Sequence, residues 1–311
     1  MRAVVLGGAG FVGSHLVDRL LAQGAEVLAV DSFLTGRPDN VAHLRDHPRF
    51  RFLEADICQG IAAEGRWDVV FNLASPASPI DYARFPLETL EVGAAGTRSA
   101  LELARRSGAV MVLASTSEVY GDPLVHPQRE DYFGNVNTVG PRACYDEAKR
   151  YAEALTSTWA RVHGTPVRIA RIFNTYGPRM RAADGRVVPA FIGQAIRGQD
   201  FTVFGDGSQT RSFCYVDDLV EGLILLFQKG DGLPVNLGNP FEMTLVEFAD
   251  AVRRVAGSGG RVVSTRPMPE NDPKQRQPDI SRARRLLGWE PRVPLDQGLR
   301  KTIEWFRAAR G

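Results

Sequence analysis

The chain has 311 residues, a length that suits two domains or one large unit with a smaller one attached. Apolar residues make up 44% and charged residues 24%, which excludes a disordered or collagen-like chain. The net charge of +2 gives no compositional case for nucleic acid or an anionic membrane, and the longest apolar runs, such as residues 223–227, reach only about five or six residues against the ~20 of a membrane-spanning helix.

Residues 2–6 read as a short apolar strand. Residues 11–23 then set Phe11, Val12, Leu16, Leu20 and Leu21 at helical spacing and stop at Gly24. Further apolar strands are expected at 26–30, 51–54, 69–73, 110–114 and 167–172, with helices at 87–107 and 143–163. Strand, helix, strand repeated predicts an α/β fold: a doubly wound parallel sheet with helices on both faces. After about residue 174 Gly, Pro and Arg become frequent and the elements shorten. Residues 261–285 carry seven basic and three acidic residues, with Pro267, Pro269, Pro273 and Pro278. This predicts an irregular basic segment, either solvated or reaching over an anionic ligand. The N-terminus carries no stretch of signal-peptide length, and the three cysteines (Cys58, Cys144, Cys214) are odd in number and widely spaced. Reduced thiols and a cytoplasmic location are therefore expected.

Residues 7–13 read GGAGFVG between the first strand and its helix. Gly7 allows a tight turn, Gly10 lets a pyrophosphate approach the backbone, and Gly13 lets helix and strand pack closely. The helix N-terminus, with Phe11 and Val12, then faces the phosphates. Asp31 closes the second strand, where a carboxylate accepts the adenosine ribose hydroxyls and repels a 2′-phosphate, so NAD is the expected cofactor. Asp56 and Ile57 follow the third strand, beside the adenine, and Leu73, Ala74 and Ser75 follow the fourth, along the nicotinamide.

Tyr145 and Lys149 form YxxxK, which a helix places on one face. A nearby ammonium lowers the phenol's pKa, so Tyr145 can take a proton from a sugar hydroxyl as hydride leaves for the cofactor. Lys149 is one of only four lysines among 38 basic residues. Thr116, Ser117 and Glu118 end the fifth strand; a hydroxyl there can bond the same sugar oxygen, and Glu118 is a second proton-transfer group or electrostatic partner. The five histidines form no ligand set: His43 and His47 are four apart but run into Pro48, and no metal is expected.

GGAGFVG, Asp31, STSEVYG and YxxxK together resemble the extended short-chain dehydrogenase/reductase superfamily of nucleotide-sugar enzymes. NLASPASPIDY, ASTSEVYGDPLVHPQ, GPRACYDEAKR, RIFNTYGPRM, DGRVVPAFI, TVFGDGSQTRSF, VNLGNP and QPDIS more narrowly resemble the UDP-glucuronate decarboxylases, over essentially the whole chain. That resemblance implies a 4-keto intermediate, loss of the C6 carboxylate as CO2, and UDP-xylose as product. It implies Tyr145 as the base at the 4-hydroxyl, Thr116 and Ser117 as sugar-positioning groups and Glu118 assisting at C4–C5. It extends the cofactor set to Ser32, Thr35, Gly36, Tyr145 and Lys149, and the substrate set to Pro76, Tyr82 and Arg179. Asn174 is implied at the diphosphate, Val187, Val188 and Phe204 at the uracil, and Gln209, Arg211 and Arg276 at ribose and phosphates. The implied division is residues 1–174 and 212–238 for the Rossmann NAD-binding domain, and 175–211 and 239–311 for a discontinuous UDP-sugar domain. Dimerisation through helices 87–107 and 143–163 is implied as well. Two places depart from the family pattern. Gly93 stands where relatives show Asn before Gly-Thr, and Glu88 and Glu91 stand in a turn that is basic in relatives. Alternative readings are a UDP-sugar 4-epimerase, a decarboxylase releasing the UDP-4-keto-pentose, and a non-catalytic sugar-nucleotide binder.

Overall fold

Alternating apolar strands and amphipathic helices build the parallel sheet that their order predicts. The computed structural model describes residues 1–267 and 275–309. Its first half runs β1 (Arg2–Leu6), α1 (Phe11–Ala22), β2 (Glu26–Asp31), β3 (Phe50–Glu54), β4 (Val69–Asn72), α2 (Pro79–Arg84), α3 (Pro86–Glu91), α4 (Thr97–Ser107), β5 (Val110–Thr116), α5 (Ala143–His163) and β6 (Val167–Ile172). The second half runs β7 (Thr175–Tyr176), α6 (Val187–Ile196), β8 (Phe201–Phe204), β9 (Thr210–Ser212), β10 (Cys214–Tyr215), α7 (Val216–Lys229), β11 (Pro234–Leu237), β12 (Glu242–Thr244), α8 (Leu245–Ala256), β13 (Val262–Arg266), α9 (Ser281–Leu287) and α10 (Leu295–Ala308).

The main sheet has seven strands in the order β11-β6-β5-β4-β1-β2-β3, all parallel. Its inner strands read as unbroken apolar runs because both faces are covered. Along β1 the side chains divide between two cores: Ala3 and Val5 join α1 and α7, while Val4 and Leu6 join α4. The first core continues into the C-terminal part of the chain through Phe191, Phe201, Phe213 and Phe248, with the Phe213 and Phe248 rings stacked at 4.1 Å. There β8 pairs with β13 and β9 with β12.

Two expectations change. The helix expected over 87–107 is interrupted: between α3 and α4 the turn Val92–Gly96 is wound as a π-helix. Gly93 and Gly96 sit in it because neighbours crowd both; a Cβ on Gly93 would lie 2.8 Å from the Cβ and carbonyl oxygen of Ala148 on α5. The segment 261–285 is regular at both ends. Val262 and Val263 pair with β8, and α9 buries Ala283 and Leu287. Residues 268–274, with Pro269, Pro273 and Lys274 among them, lie outside the described residues. Among the described residues no helix is long and apolar enough to cross a membrane.

Candidate active site

Because the main-sheet strands are parallel, the loops after β1, β2, β3, β4, β5 and β6 open on one edge of the sheet. The turn after β1 and the close approach of α1 each require a glycine. Gly7 has φ +77° and its Cβ would lie 2.9 Å from the Ala74 nitrogen, while a Cβ on Gly13 would lie 2.0 Å from the Gly7 carbonyl oxygen. Gly10 precedes α1 without a side-chain cap, and the first turn, with Phe11 and Val12, carries no acid, so the positive end of the helix is left for an anion. Asp31 accepts the backbone amides of Ala9 (3.0 Å) and Phe33 (2.9 Å) on its two oxygens. Burial raises its pKa and these amide bonds oppose the rise. Ser32, Thr35 and Gly36 form the loop beyond it, and a Cβ on Gly36 would lie 2.6 Å from the Asp31 carboxylate. Asp56 caps the turn Ile57–Gln59, accepting the Cys58 amide at 2.9 Å, and Ile57 is buried. Leu73 donates its amide to Leu6, Ala74 touches the glycine turn, and the Ser75 hydroxyl donates to the Pro76 carbonyl. A glycine-rich turn, an uncapped helix end and a fixed carboxylate one strand away fit a dinucleotide.

On the other side of the crevice Tyr145 sits in the first turn of α5, its ring stacked on Tyr82 at 5.2 Å and 13°. One turn on, the Lys149 ammonium lies 5.8 Å from the Tyr145 ring centroid and donates to the Ala114 carbonyl at 2.9 Å. Burial lowers the Lys149 pKa to about 8. Burial pushes the Tyr145 phenol up, the Glu118 charge adds to this, and a hydrogen bond with the Thr116 side chain opposes it. The Thr116 hydroxyl also accepts the Glu118 amide at 3.3 Å. Glu118 is gripped by two guanidinium groups, Arg142 and, at 3.2 Å, Arg276. Burial alone would raise the Glu118 pKa, but Arg276, Arg142 and Arg211 outweigh it and the carboxyl lies below its ordinary value. Arg276 also donates to the Ser117 carbonyl and is 2% exposed, which puts it against the turn that follows β5.

The remaining predicted residues spread from this point. Asn174 lies between β6 and β7, and its carbonyl accepts the Cys214 amide at 2.9 Å. Val187 and Val188 open α6, with Val188 buried. Phe204 ends β8 at 43% exposure, leaving a ring face open to solvent. The Gln209 amide donates to the Phe204 carbonyl at 3.0 Å, and Arg211 donates to the Thr210 carbonyl at 2.8 Å. Arg179, at φ 68°, reaches the other way and donates to Asp18 of α1 at 2.6 Å. Glu88 and Glu91 are exposed, so solvent screens their charge. His43 pairs with Asp18, and no described cluster of His, Cys, Asp or Glu could hold a metal ion.

Three site residues were not singled out from the sequence. Arg142 precedes α5 and faces Glu118, Asp146 follows Tyr145, and Arg186, paired with Asp184, adds a positive charge that lowers the Tyr145 pKa. Arg142 and Asp146 flank Tyr145 inside the GPRACYDEAKR run, a signal of proximity but not of role.

Residues 3–238 match the NAD dependent epimerase/dehydratase family. The chain belongs to this family, whose cofactor is the dinucleotide that the glycine turn and Asp31 accommodate. It is 52% identical over 306 residues to UDP-glucuronic acid decarboxylase 1 of Xenopus tropicalis, spanning 98% of this chain and 72% of the relative. It is 50% identical over 312 residues to UDP-glucuronic acid decarboxylase 6 of Arabidopsis thaliana, spanning 100% of this chain and 90% of the relative. Among solved structures, UDP-glucuronic acid 4-epimerase from Bacillus cereus, in complex with UDP-glucuronic acid and NAD, superposes with a TM-score of 0.86 at 27% identity, covering 99% of this chain and 100% of that one.

Proposed function

We propose that the chain decarboxylates UDP-glucuronate to UDP-xylose with NAD as its resident cofactor. One conjunction carries this reading. Tyr145 and Lys149 face a Glu118 clamped by Arg142 and Arg276, in a chain half identical over nearly its whole length to proteins named UDP-glucuronic acid decarboxylase.

Gly7, Gly10, Phe11, Val12, Gly13, Asp31, Ser32, Thr35, Gly36, Asp56, Ile57, Leu73, Ala74 and Ser75 hold the cofactor in this reading. When bound, the nicotinamide supplies a reversible hydride acceptor and a positive charge. Tyr145 takes the proton of the sugar 4-hydroxyl, with Thr116 bonded to the phenol, Arg186 favouring the phenolate and the Lys149 ammonium one helical turn away. With C4 as a ketone, the C6 carboxylate is β to a carbonyl. The C5–C6 bond breaks, its electrons enter the enolate, and CO2 leaves. Ser117, Pro76 and Tyr82 border the sugar, and the Arg142–Glu118–Arg276 cluster is the polar group at its reacting end. Asn174, Val187, Val188, Phe204, Gln209 and Arg211 hold the uridine diphosphate, while Arg179 is engaged by Asp18 on the far side. The division at 1–174 and 212–238 against 175–211 and 239–311 then separates cofactor from nucleotide.

The reading includes a homodimer built on residues 87–107 and 143–163, where Leu87, Leu90, Tyr151 and Val162 are exposed, and a cytoplasmic location suited to three free cysteines. A panel of UDP-glucuronate, UDP-glucose and UDP-N-acetylglucosamine tests the substrate. Turnover of UDP-glucuronate alone is expected, and turnover of a neutral sugar in its place would refute the reading.

A further inference from the structure

Decarboxylation of a carboxylate consumes a proton. CO2 leaves uncharged, the enolate keeps the electron pair, and C5 must receive H⁺ from outside. Glu118 is nearby, but its guanidinium partners hold it ionised, so it has no proton of its own to give.

Beside Glu118 opens a chamber of about 230 Å³ lined by Glu118, Asp122, Asn135, Asn137, Arg142 and Asp146 among others. Asp122, Asn135 and Asn137 are exposed, so its rim meets solvent. Asp146 is 7% exposed, and its Oδ1 is fully buried with no hydrogen-bond partner among the described residues. A buried carboxyl oxygen without a donor disfavours the charged form and favours one that carries a proton.

We propose that Asp146 takes up the proton destined for C5 from solvent and passes it across the chamber to Glu118. The proposal rests on the decarboxylase reading. Asp146 acts through Glu118, not on the sugar itself. The O–H bond of its carboxyl breaks, the proton moves to Glu118 and then to C5, and the Asp146 carboxylate is recharged from solvent. Its charged neighbours are Glu118 on the turn after β5, Arg142 before α5, Glu147 on α5 and Arg276 on the returning segment, with Asp122 on the chamber wall. Burial first and Glu118 second raise the Asp146 pKa to about 7, with Arg142 and Arg276 opposing. A donor with this value carries its proton in about half of the molecules at pH 7 and loses it above.

The test follows UDP-glucuronate turnover in D2O by NMR. The wild-type chain should place one deuterium at a single C5 position of UDP-xylose, with kcat declining above about pH 7. Asp146→Asn should lower kcat at least about tenfold with KM within about threefold. It should also release more UDP-4-keto-pentose, spread the deuterium over both C5 positions and lose the alkaline decline. Asp146→Glu should recover most of the rate. An Asp146→Asn chain with wild-type kcat, pH profile and label position overturns the proposal. So does one that loses rate and thermal stability with product ratio and label unchanged. A wild-type chain that leaves UDP-glucuronate untouched overturns the decarboxylase reading, and this proposal with it.

Discussion

Arg276 and Ser117 stand 159 residues apart in the chain, yet the Arg276 guanidinium donates to the Ser117 carbonyl and reaches the Glu118 carboxylate at 3.2 Å. The contact ties the basic C-terminal segment to the end of β5, so that part of the chain helps to build the site.

Arg276→Ala leaves Glu118 buried with one fewer cation. Breaking a buried pair costs about 3–5 kcal/mol, and because Arg142 still grips Glu118 the lower end, about 3 kcal/mol, is expected. Activity should fall at least about 100-fold, and Arg276→Lys should not restore it, because Arg276 reaches the carbonyl and the carboxylate through two separate nitrogens and the single lysine nitrogen lacks that planar fork. Urea melts and turnover check both; a variant as stable as the wild type would contradict the pairing.

Tyr145→Phe keeps the ring stacked on Tyr82 and removes only the phenol oxygen. Turnover should fall by about 10²–10⁴ while stability changes by roughly 1 kcal/mol or less. NAD and UDP-sugar should still bind, as titration calorimetry can show. Retained turnover would remove Tyr145 from the chemistry.

Lys149 gives a pH signature of stability. Its folded pKa is lowered by burial to about 8 from an ordinary 10.5, so between these values the unfolded chain binds more protons than the folded one. Stability from this group therefore rises with pH across that window and is least below it. Relative to wild type, Lys149→Met should have its highest Tm below pH 8, and the difference should shrink toward pH 10. A difference that grows with pH would have the wrong sign.

Gly13→Ala places a methyl 2.0 Å from the Gly7 carbonyl oxygen, so β1 and α1 must part. NAD binding should be lost and the Tm should drop by many degrees. Gly24→Ala is the control. Gly24 has φ +84° with nothing within 4 Å, so only the left-handed backbone cost of about 1–2 kcal/mol is expected, with NAD binding kept.

The sheet was legible because its signals are local. The strand over residues 2–6, the stop at Gly24, and the helix over 143–163 each follow from residues within one element. The GGAGFVG turn and the YxxxK spacing are local patterns too. The rest depends on residues that meet only after folding. Arg142 is one arginine among many until β5 delivers Glu118 to it, and nothing in the spacing around Asp146 announces a buried oxygen without a partner. The π-turn at Val92–Gly96 escaped because the apolar pattern runs through it. Its close approach to Ala148, on another helix, exists only once the chain has folded. The ends of segment 261–285 are hidden by its prolines and charges, although Val262 and Val263 pair with β8 and Ala283 is buried.

The most direct measurement incubates the purified chain with UDP-glucuronate and catalytic NAD and follows the sugar by NMR. UDP-xylose and CO2 in equal amounts, with no net NADH, are predicted. UDP-galacturonate with its carboxylate retained, or unchanged UDP-glucuronate, would contradict the decarboxylase assignment.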